Sequence, residues 1–216
     1  MNNKIKIKVK MTGGYLWCKA SWGEFSCAGC AECTIEPGIT LLHGDVDSAA
    51  WGISYAISMF DKNNIKTQIW PDSSFMINDI SCQIEDIKAR TCYMDVNNPL
   101  FECDYTVREM VEKALFDNAS RFSVKDICSI IPITPFRFER KLSQVGNEKF
   151  RCMAAIGYAN NKTIYCFPWM SKSRYNYYHR NLTDVLNILR DLGKIVLIPT
   201  NFDELPEVYV NQKYYF

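Results

Sequence analysis

Residues 41–60, LLHGDVDSAAWGISYAISMF, combine an apolar strand, a glycine turn and a helix in immediate succession. The strand of residues 39–42 ends just before Gly44, and apolar side chains at helical spacing predict a helix over residues 48–60. This order is the outline of a phosphate-binding loop, in which a turn and the amino terminus of a helix hold an anion. Ala50 stands where such a loop has its lysine, so the outline is present without its main cation.

The composition excludes several classes of protein. The chain has 216 residues, of which 48% are hydrophobic, and its 25 basic and 24 acidic residues leave a net charge of +1. This balance gives no reason to expect a nucleic acid or an anionic membrane as partner. No apolar run approaches the roughly 18 residues of a membrane span, and the first residues lack a signal-peptide core. We therefore expect a cytoplasmic protein with no direct membrane insertion.

Strand and helix signals alternate along most of the chain. Residues 4–11 alternate charged and apolar side chains, which predicts an edge strand with one wet face. Thr106 is a plausible cap for a helix over residues 104–117. Thr183 or Asp184 would cap a helix that ends at Gly193. Buried strands are expected at residues 163–169 and 194–200, a final strand at residues 207–216, and a further helix at residues 147–159. This alternation favours an α/β fold with a mainly parallel sheet.

Five segments also follow one another in the order of a known family, and together they resemble the ATP-binding domain of ABC transporters and its soluble relatives. The resemblance implies one ABC-ATPase-like P-loop domain over residues 1–216, with an antiparallel β edge and a helical subdomain inserted at about residues 97–158. The segments that carry it are residues 34–45, 84–101, 106–115, 142–169 and 189–201.

The Walker A motif of that family departs from its pattern at the groups that bind phosphate. Gly44 is present, but Ala50 replaces the lysine and Trp51 replaces the hydroxyl that binds Mg²⁺. Asp45 and Asp47 add carboxylates that oppose a phosphate by roughly 1 kcal/mol or more per contact. The equivalent cofactor-binding set is Gly44, Asp45, Val46, Asp47, Ser48, Ala49, Ala50 and Trp51, with Trp22, or less plausibly Phe25, placed to stack on adenine.

The other motifs of the family also lack the residues that characterise them. Walker B needs an aspartate and then a glutamate, but Pro168 and Trp169 follow the strand. The Q-loop glutamine falls on Val96, beside Asp95, and the H-loop histidine falls on Asn201. In the signature motif the serine is absent, and the residues that remain comparable are Gly146, Asn147 in place of a second glycine, Glu148 and Arg151.

These losses predict a catalytically degenerate ABC-ATPase-like protein with no catalytic residues and no cofactor. It would act as a structural or regulatory partner of a second ATPase subunit, of a permease or of its own copy. The alternative is an unusual nucleotide-binding protein or NTPase that binds ATP and Mg²⁺ and uses Asp45, Asp47, Ser48 and Glu148 in unfamiliar roles. Each group that stabilises charge in phosphoryl transfer contributes several powers of ten to the rate. The loss of several such groups therefore favours the catalytically degenerate protein over the NTPase.

Four cysteines near the amino terminus raise a third possibility. The CAGCAEC stretch has a true ligand spacing, and four thiolates could hold zinc or an iron–sulfur cluster. The second CxxC pair of a zinc knuckle is absent, so we expect structural thiols in a reducing compartment. The candidate ligands are Cys18, Cys27, Cys30 and Cys33.

Residues 174–180, RYNYYHR, interleave tyrosines with arginines. Such a composition suits a surface that binds protein or single-stranded nucleic acid, and the neutral overall charge favours protein. The rival interpretation is a loop packed on the core. The chain has only two histidines, His43 and His179, and nothing in the sequence brings either beside a reactive thiol.

Overall fold

The computed structural model describes residues 5–18, 21–45, 48–58, 66–69, 72–96, 98, 100–101 and 104–216, with the backbone alone for residues 12–18, 21–31 and 66–69. The strands in these residues are β1 (Ile7–Cys18), β2 (Ser21–Ile35), β3 (Gly38–His43), β4 (Lys66–Ile69), β5 (Ser74–Ile77), β6 (Ile80–Cys82), β7 (Thr91–Tyr93), β8 (Ile164–Cys166), β9 (Ile195–Thr200) and β10 (Gln212–Tyr215). The helices are α1 (Ala49–Ala56), α2 (Ile84–Lys88), α3 (Val107–Asp117), α4 (Val124–Ile130), α5 (Pro135–Phe138), α6 (Lys149–Ala159) and α7 (Lys172–Asp191), with short 3-10 helices at Leu142–Gln144 and Gly146–Glu148.

A five-stranded parallel sheet forms the centre of the fold, in the order β10-β3-β9-β8-β7. Its central strands read as continuous apolar runs because helices and a second sheet cover both of their faces. Ile39 and Leu41 of β3 face one apolar cluster, and Leu42 faces the other. The parallel α/β fold predicted from the sequence is confirmed, and the carboxyl ends of β3, β8 and β9 lie at one edge of this sheet.

The antiparallel strands form a sheet of their own, and α1 lies between the two sheets. Lys8 and Lys10 of β1 are partly exposed, whereas Ile7, Val9 and Met11 are buried, so the predicted wet and dry faces are confirmed. The prediction that this is an edge strand is wrong. β1 pairs with β2 on one side and with β4 and β5 on the other, because strands distant in sequence supply its second neighbour.

Between β7 and β8 the described residues form only helices. Thr106 caps α3 as predicted: its hydroxyl accepts a hydrogen bond from the backbone N–H of Glu109, whose carboxylate accepts one from the N–H of Thr106. Proline separates the next two helices, since α4 ends before Pro132 and α5 begins at Pro135. The limits of the helical subdomain, about residues 97–158, stay a prediction.

Helix α7 corrects the interpretation of residues 171–193. It begins at Lys172 under a cap by Ser171 and runs without a break to Asp191, so neither Thr183 nor Asp184 caps a helix. Tyr175 and Leu182, seven residues apart, are both buried, which shows that the apolar stripe continues through the tyrosine-rich segment. The Thr183 hydroxyl instead bonds the Tyr175 hydroxyl at 3.2 Å.

Three helices end in the same motif with three different residues. After α3, α6 and α7 the chain adopts a left-handed conformation at Ala119 (φ 45°), Asn161 (φ 57°) and Gly193 (φ 67°). In each case the next N–H reaches back to a carbonyl five residues earlier, as in a Schellman motif. Glycine suits this position best because it has no Cβ, so Ala119 stores backbone strain.

Candidate functional site

The turn between β3 and α1 lies at the carboxyl edge of the parallel sheet, where a phosphate-binding loop would be. The Gly44 N–H donates to the carbonyl of Thr200 at the end of β9, at 2.8 Å. The Ser48 N–H donates to the Asp45 carbonyl at 3.0 Å, and the Ser48 hydroxyl accepts from the N–H of Ala50 at 3.2 Å. Ser48 therefore caps α1. Val46 and Asp47 lie outside the described residues.

Atoms of Ser48 and Phe216 lie close to Gly44 in this turn. A Cβ added to Gly44 would lie 2.3 Å from the Ser48 hydroxyl oxygen and 3.1 Å from the Phe216 carbonyl oxygen, so only glycine fits there. The Phe216 N–H donates to the carbonyl of His43 at 2.9 Å. The segment after β10 therefore packs along the turn, and the Ser48 hydroxyl faces the turn itself.

Trp169 covers the turn from the neighbouring strand. Its indole N–H donates to the Gly44 carbonyl at 3.1 Å, and its side chain is half-buried. One residue after β8, the carbonyl of Phe167 accepts from the Ser54 hydroxyl of α1 at 2.9 Å. The Trp169 indole, at a position where the family resemblance implies a carboxylate, and the backbone carbonyl of Phe167 therefore hold the turn and α1 in place.

The lysine and hydroxyl positions of a Walker A motif are part of an apolar contact. Ala50 has 0% of its surface exposed. Trp51 packs against Tyr55 with ring centroids 5.8 Å apart. Tyr55 and Tyr93 meet edge to face at 5.5 Å. Burial raises the pKa of Tyr93 well above its usual range, so this phenol stays neutral.

The Q-loop and H-loop positions hold no structured ligand set. Val96 is exposed and Asp95 is half-buried at the end of β7. The nearby Asn98 is buried, where its amide donates to the Tyr93 carbonyl at 2.8 Å and accepts from the N–H of Leu100 at 3.0 Å. Asn201 is exposed after β9. The buried amide of Asn98 thus shapes the turn after β7.

The signature-equivalent residues make contacts that stabilise their own surroundings. Glu148 accepts from the Thr134 hydroxyl at 2.5 Å and from the Thr134 N–H at 3.0 Å, which holds the start of α5. Arg151 forms an ion pair with Asp184 of α7. Two of the four polar residues that the alternative hypothesis needed for chemistry, Ser48 and Glu148, are therefore engaged in helix starts.

One polar cluster at this edge was not found from the sequence. The His43 Nε2 lies 3.5 Å from a carboxylate oxygen of Asp203, and the rings of His43 and Tyr215 are 5.0 Å apart. The Tyr215 hydroxyl donates to the same Asp203 oxygen at 3.4 Å. These three residues come from β3, β10 and the loop after β9, so only the sheet order brings them together.

The cysteine hypothesis is tested at one of its four residues. Cys33 lies in β2 with its side chain fully buried in the apolar core. The side chains of Cys18, Cys27 and Cys30 lie outside the described residues, as do those of Trp22 and Phe25. In the part of the chain whose side chains are described, no group of three or more possible ligands could hold a metal ion. Burial raises the pKa of Cys92 and of Cys152 to about 12, so both thiols stay protonated.

This arrangement of a parallel sheet, a strand–turn–helix at its carboxyl edge and a covering antiparallel sheet is that of an ABC transporter ATP-binding domain. No protein-family model and no curated protein matches the sequence. The likeness is to solved structures. A putative ABC transporter ATP-binding protein from Pyrococcus furiosus superposes with a TM-score of 0.60 at 15% identity, over 97% of this chain and 96% of that chain.

Two further structures give the same result. The cbiO1 protein of Clostridium perfringens, part of the ABC transporter complex cbiONQ, has a TM-score of 0.59 at 11% identity, over 97% of this chain and 83% of that chain. A dimeric bacterial ABC transporter cassette has a TM-score of 0.58 at 12% identity, over 91% of this chain and 88% of that chain. The predicted resemblance is confirmed at the level of fold. Within the described residues, no helix is both long and apolar enough to cross a membrane.

Proposed function

We propose that this chain is a cytoplasmic, catalytically degenerate ABC-ATPase-like protein that acts as a structural or regulatory partner subunit and does not hydrolyse ATP. The observation that carries the proposal is the hydrogen bond from Trp169 to the Gly44 carbonyl. The Trp169 indole and the Ser48 hydroxyl thus both form hydrogen bonds with backbone groups at this position, the first with the Gly44 carbonyl and the second with the N–H of Ala50.

Electrostatics support the same proposal. A triphosphate with its Mg²⁺ is held in this fold by an ammonium, a hydroxyl and carboxylates, and here the corresponding positions are Ala50, Trp51, Pro168 and Trp169. Asp45 is exposed at the turn and would face an anion with like charge. At an intermediate dielectric one such contact costs roughly 1 kcal/mol or more. The remaining attraction is the partial positive charge at the start of α1, which is weak and already capped by Ser48.

Proteins of the same fold indicate the kind of partner. The cbiO1 protein is part of a transporter complex, and another neighbour was solved as a dimer. We propose that this chain likewise joins a second ATPase subunit, a permease or a second copy of itself, and contributes contacts where those proteins contribute a nucleotide site.

A second candidate function is a nucleotide-binding protein or NTPase with a non-standard loop that takes ATP and Mg²⁺. It is favoured by neighbours solved with ATP or with ADP and phosphate. Against it, Ser48 and Glu148 already serve as hydrogen-bond partners at the starts of α1 and α5.

Calorimetric titration of the whole chain with ATP and Mg²⁺ separates the two functions. We expect no saturable heat at ligand concentrations up to about 1 mM and no phosphate release, with a hydrolysing ABC cassette as the positive control. Micromolar, magnesium-dependent binding would contradict the proposal and establish the second candidate. Circular dichroism on the titrated sample confirms that a negative result comes from folded protein.

A further inference from the structure

The amino-terminal half of α7 carries an exposed aromatic surface that the nucleotide-like site does not use. Tyr177 has 78% of its surface exposed, although the helix around it is well packed through Tyr175 and Leu182. The ring of Tyr178 meets that of Tyr177 edge to face, with centroids 4.7 Å apart. Two adjacent tyrosines with one ring turned to solvent present a rigid contact area at low entropic cost.

Cations surround this pair of rings on three sides. Arg174 and Arg180 lie three residues before and after Tyr177, so they occupy the neighbouring turns of the same helix. The ammonium of Lys149, at the start of α6, lies 4.5 Å from the centre of the Tyr178 ring. We call the five residues Lys149, Arg174, Tyr177, Tyr178 and Arg180 the tyrosine face.

The three cations of the tyrosine face have no carboxylate partner among the residues that the structure describes. Among the described residues, none of its three cations lies within ion-pair distance of a carboxylate. The first acidic residue along α7 is Asp184, and it pairs with Arg151. The whole chain carries a net charge of +1, and these three cations lie around the Tyr177–Tyr178 pair with no carboxylate partner among the described residues.

We propose that the tyrosine face is a docking surface for an acidic surface of a different protein. Carboxylates on the partner would pair with the three cations, and an apolar side chain would pack on Tyr177. Arginine and tyrosine are the residues that carry most binding energy in such contacts. This inference rests on the proposed function, because it names the chemistry of the partner that a subunit without its own catalysis would serve.

The observations favour an acidic protein surface over a second copy of this chain and over a nucleic acid. A two-fold contact between copies centred on Tyr177 would bring three cations against three cations, which like-charge repulsion opposes. A nucleic acid requires a broad basic surface, whereas the tyrosine face has three cations and the whole chain is almost neutral. An acidic protein surface needs only local complementarity.

The test uses a fluorescent synthetic peptide with three glutamates around one leucine, titrated into the full-length protein by polarisation. We expect saturable binding that weakens as salt rises, and a loss of about tenfold or more in affinity in the variant Tyr177→Ala/Arg180→Gln. The matched control is Phe116→Ala/Arg121→Gln, which removes an equally exposed helical aromatic, 85% exposed, and an exposed arginine elsewhere. The control should bind as the wild type does.

Equal affinity in the two variants would overturn the inference. So would tighter binding of oligothymidine or of phosphatidylserine vesicles than of the peptide, or a dimer in sedimentation that the Tyr177→Ala/Arg180→Gln variant abolishes. Failure of the proposed function has a different signature, namely magnesium-dependent ATP binding by the wild type. The peptide assay contains no nucleotide, so the two results are read separately.

Discussion

The indole N–H of Trp169 donates to the carbonyl oxygen of Gly44 at 3.1 Å, and this bond joins the ends of β8 and β3 at the edge where such a fold places its ligand. Gly44 also donates to Thr200 of β9. Three strand ends thus meet through one residue that has no side chain. The N–H and the carbonyl of Gly44 therefore both have hydrogen-bond partners within the protein.

Replacing Trp169 by phenylalanine removes the donor and keeps most of the ring. We expect the free energy of unfolding to fall by about 1 kcal/mol, the usual net loss for one hydrogen bond whose acceptor is left behind. Urea denaturation followed by far-ultraviolet circular dichroism measures this. Tyr177→Phe, at an exposed position, is the control and should change stability by less than about 0.5 kcal/mol. An unchanged stability, or a gain of ATP binding, in Trp169→Phe would contradict the role given to the indole.

Introducing a lysine at position 50, where a Walker A motif has one, should destabilise the protein. Ala50 is fully buried, so Ala50→Lys forces four methylenes and an ammonium into a packed core. We expect a loss of about 3 kcal/mol or more, from overpacking and from the burial of an unpaired charge. Thermal and urea unfolding check this.

Asp45→Lys is the matched control for that substitution. It places the same cation in the same turn at an exposed position, and it should alter stability by less than about 0.5 kcal/mol. If Ala50→Lys were instead as stable as the wild type and bound ATP, the turn would be a working cradle that lacks only its lysine, and the proposed function would be wrong.

The local signals of the sequence predicted the fold well where they were strong. The strand over residues 39–42 and the cap at Thr106 are both present, because apolar runs and a capping box act over a few neighbouring residues. The order of segments placed Gly44 at the carboxyl edge of the sheet, as found. A resemblance in order and spacing sufficed for this, at sequence identities of 11% to 15% with the compared structures.

Contacts between distant residues could not be predicted in this way. The edge assignment of β1 was wrong because its second neighbour, β5, follows more than sixty residues later. The hydrogen bond between Trp169 and Gly44 joins residues 125 positions apart, and no local sequence pattern around either residue predicts it. The start of α7 was missed because its apolar stripe is formed there by tyrosine, as at Tyr175, and not by the leucine and valine that mark the rest of that helix.

Two helix ends offer a reciprocal test of backbone conformation. Ala119 after α3 and Gly193 after α7 occupy the same left-handed position of a Schellman motif. Ala119→Gly should raise the free energy of unfolding by about 1 kcal/mol, because glycine adopts this conformation without strain. Gly193→Ala should lower it by a similar amount, since a Cβ there meets nothing within 4 Å and only the backbone conformation is affected. Equal effects of the same sign in urea unfolding would contradict this account.

Buried thiols make stability fall at alkaline pH. Burial raises the pKa of Cys92 from 9.0 to about 12, and burial together with the nearby Glu148 carboxylate does the same for Cys152. In the unfolded chain these thiols ionise near pH 9 while the folded ones stay protonated. Their contribution is therefore complete below pH 9 and is lost as the pH rises towards 12, by about 1.4 kcal/mol per pH unit for each thiol.

The comparison that isolates this effect is between the wild type and Cys92→Ala/Cys152→Ala. The double variant should start less stable and should lose stability less steeply above pH 9, in urea titrations at a series of pH values. Parallel pH dependences in the two proteins would show that these thiols are not held protonated by the fold. Slow reaction of the native wild type with a thiol reagent, and fast reaction after unfolding, checks the same point independently.

Helix α6 lies against β7 and β8 at a distance that only glycine allows. A Cβ at position 157 would lie 2.9 Å from the Cys92 sulfur and 3.0 Å from the Tyr165 ring, and both neighbours are fully buried. Alanine favours a helix over glycine by about 1 kcal/mol, so a purely local view predicts that Gly157→Ala stabilises the protein. Overpacking against an immobile sheet costs about 1–3 kcal/mol and should outweigh that gain, giving a net loss in urea unfolding. The Cys92→Ala background removes the sulfur that the new methyl group meets. If contact is the cause, the double variant should recover about 1 kcal/mol relative to the sum of the single changes, whereas additive effects would place the cause elsewhere.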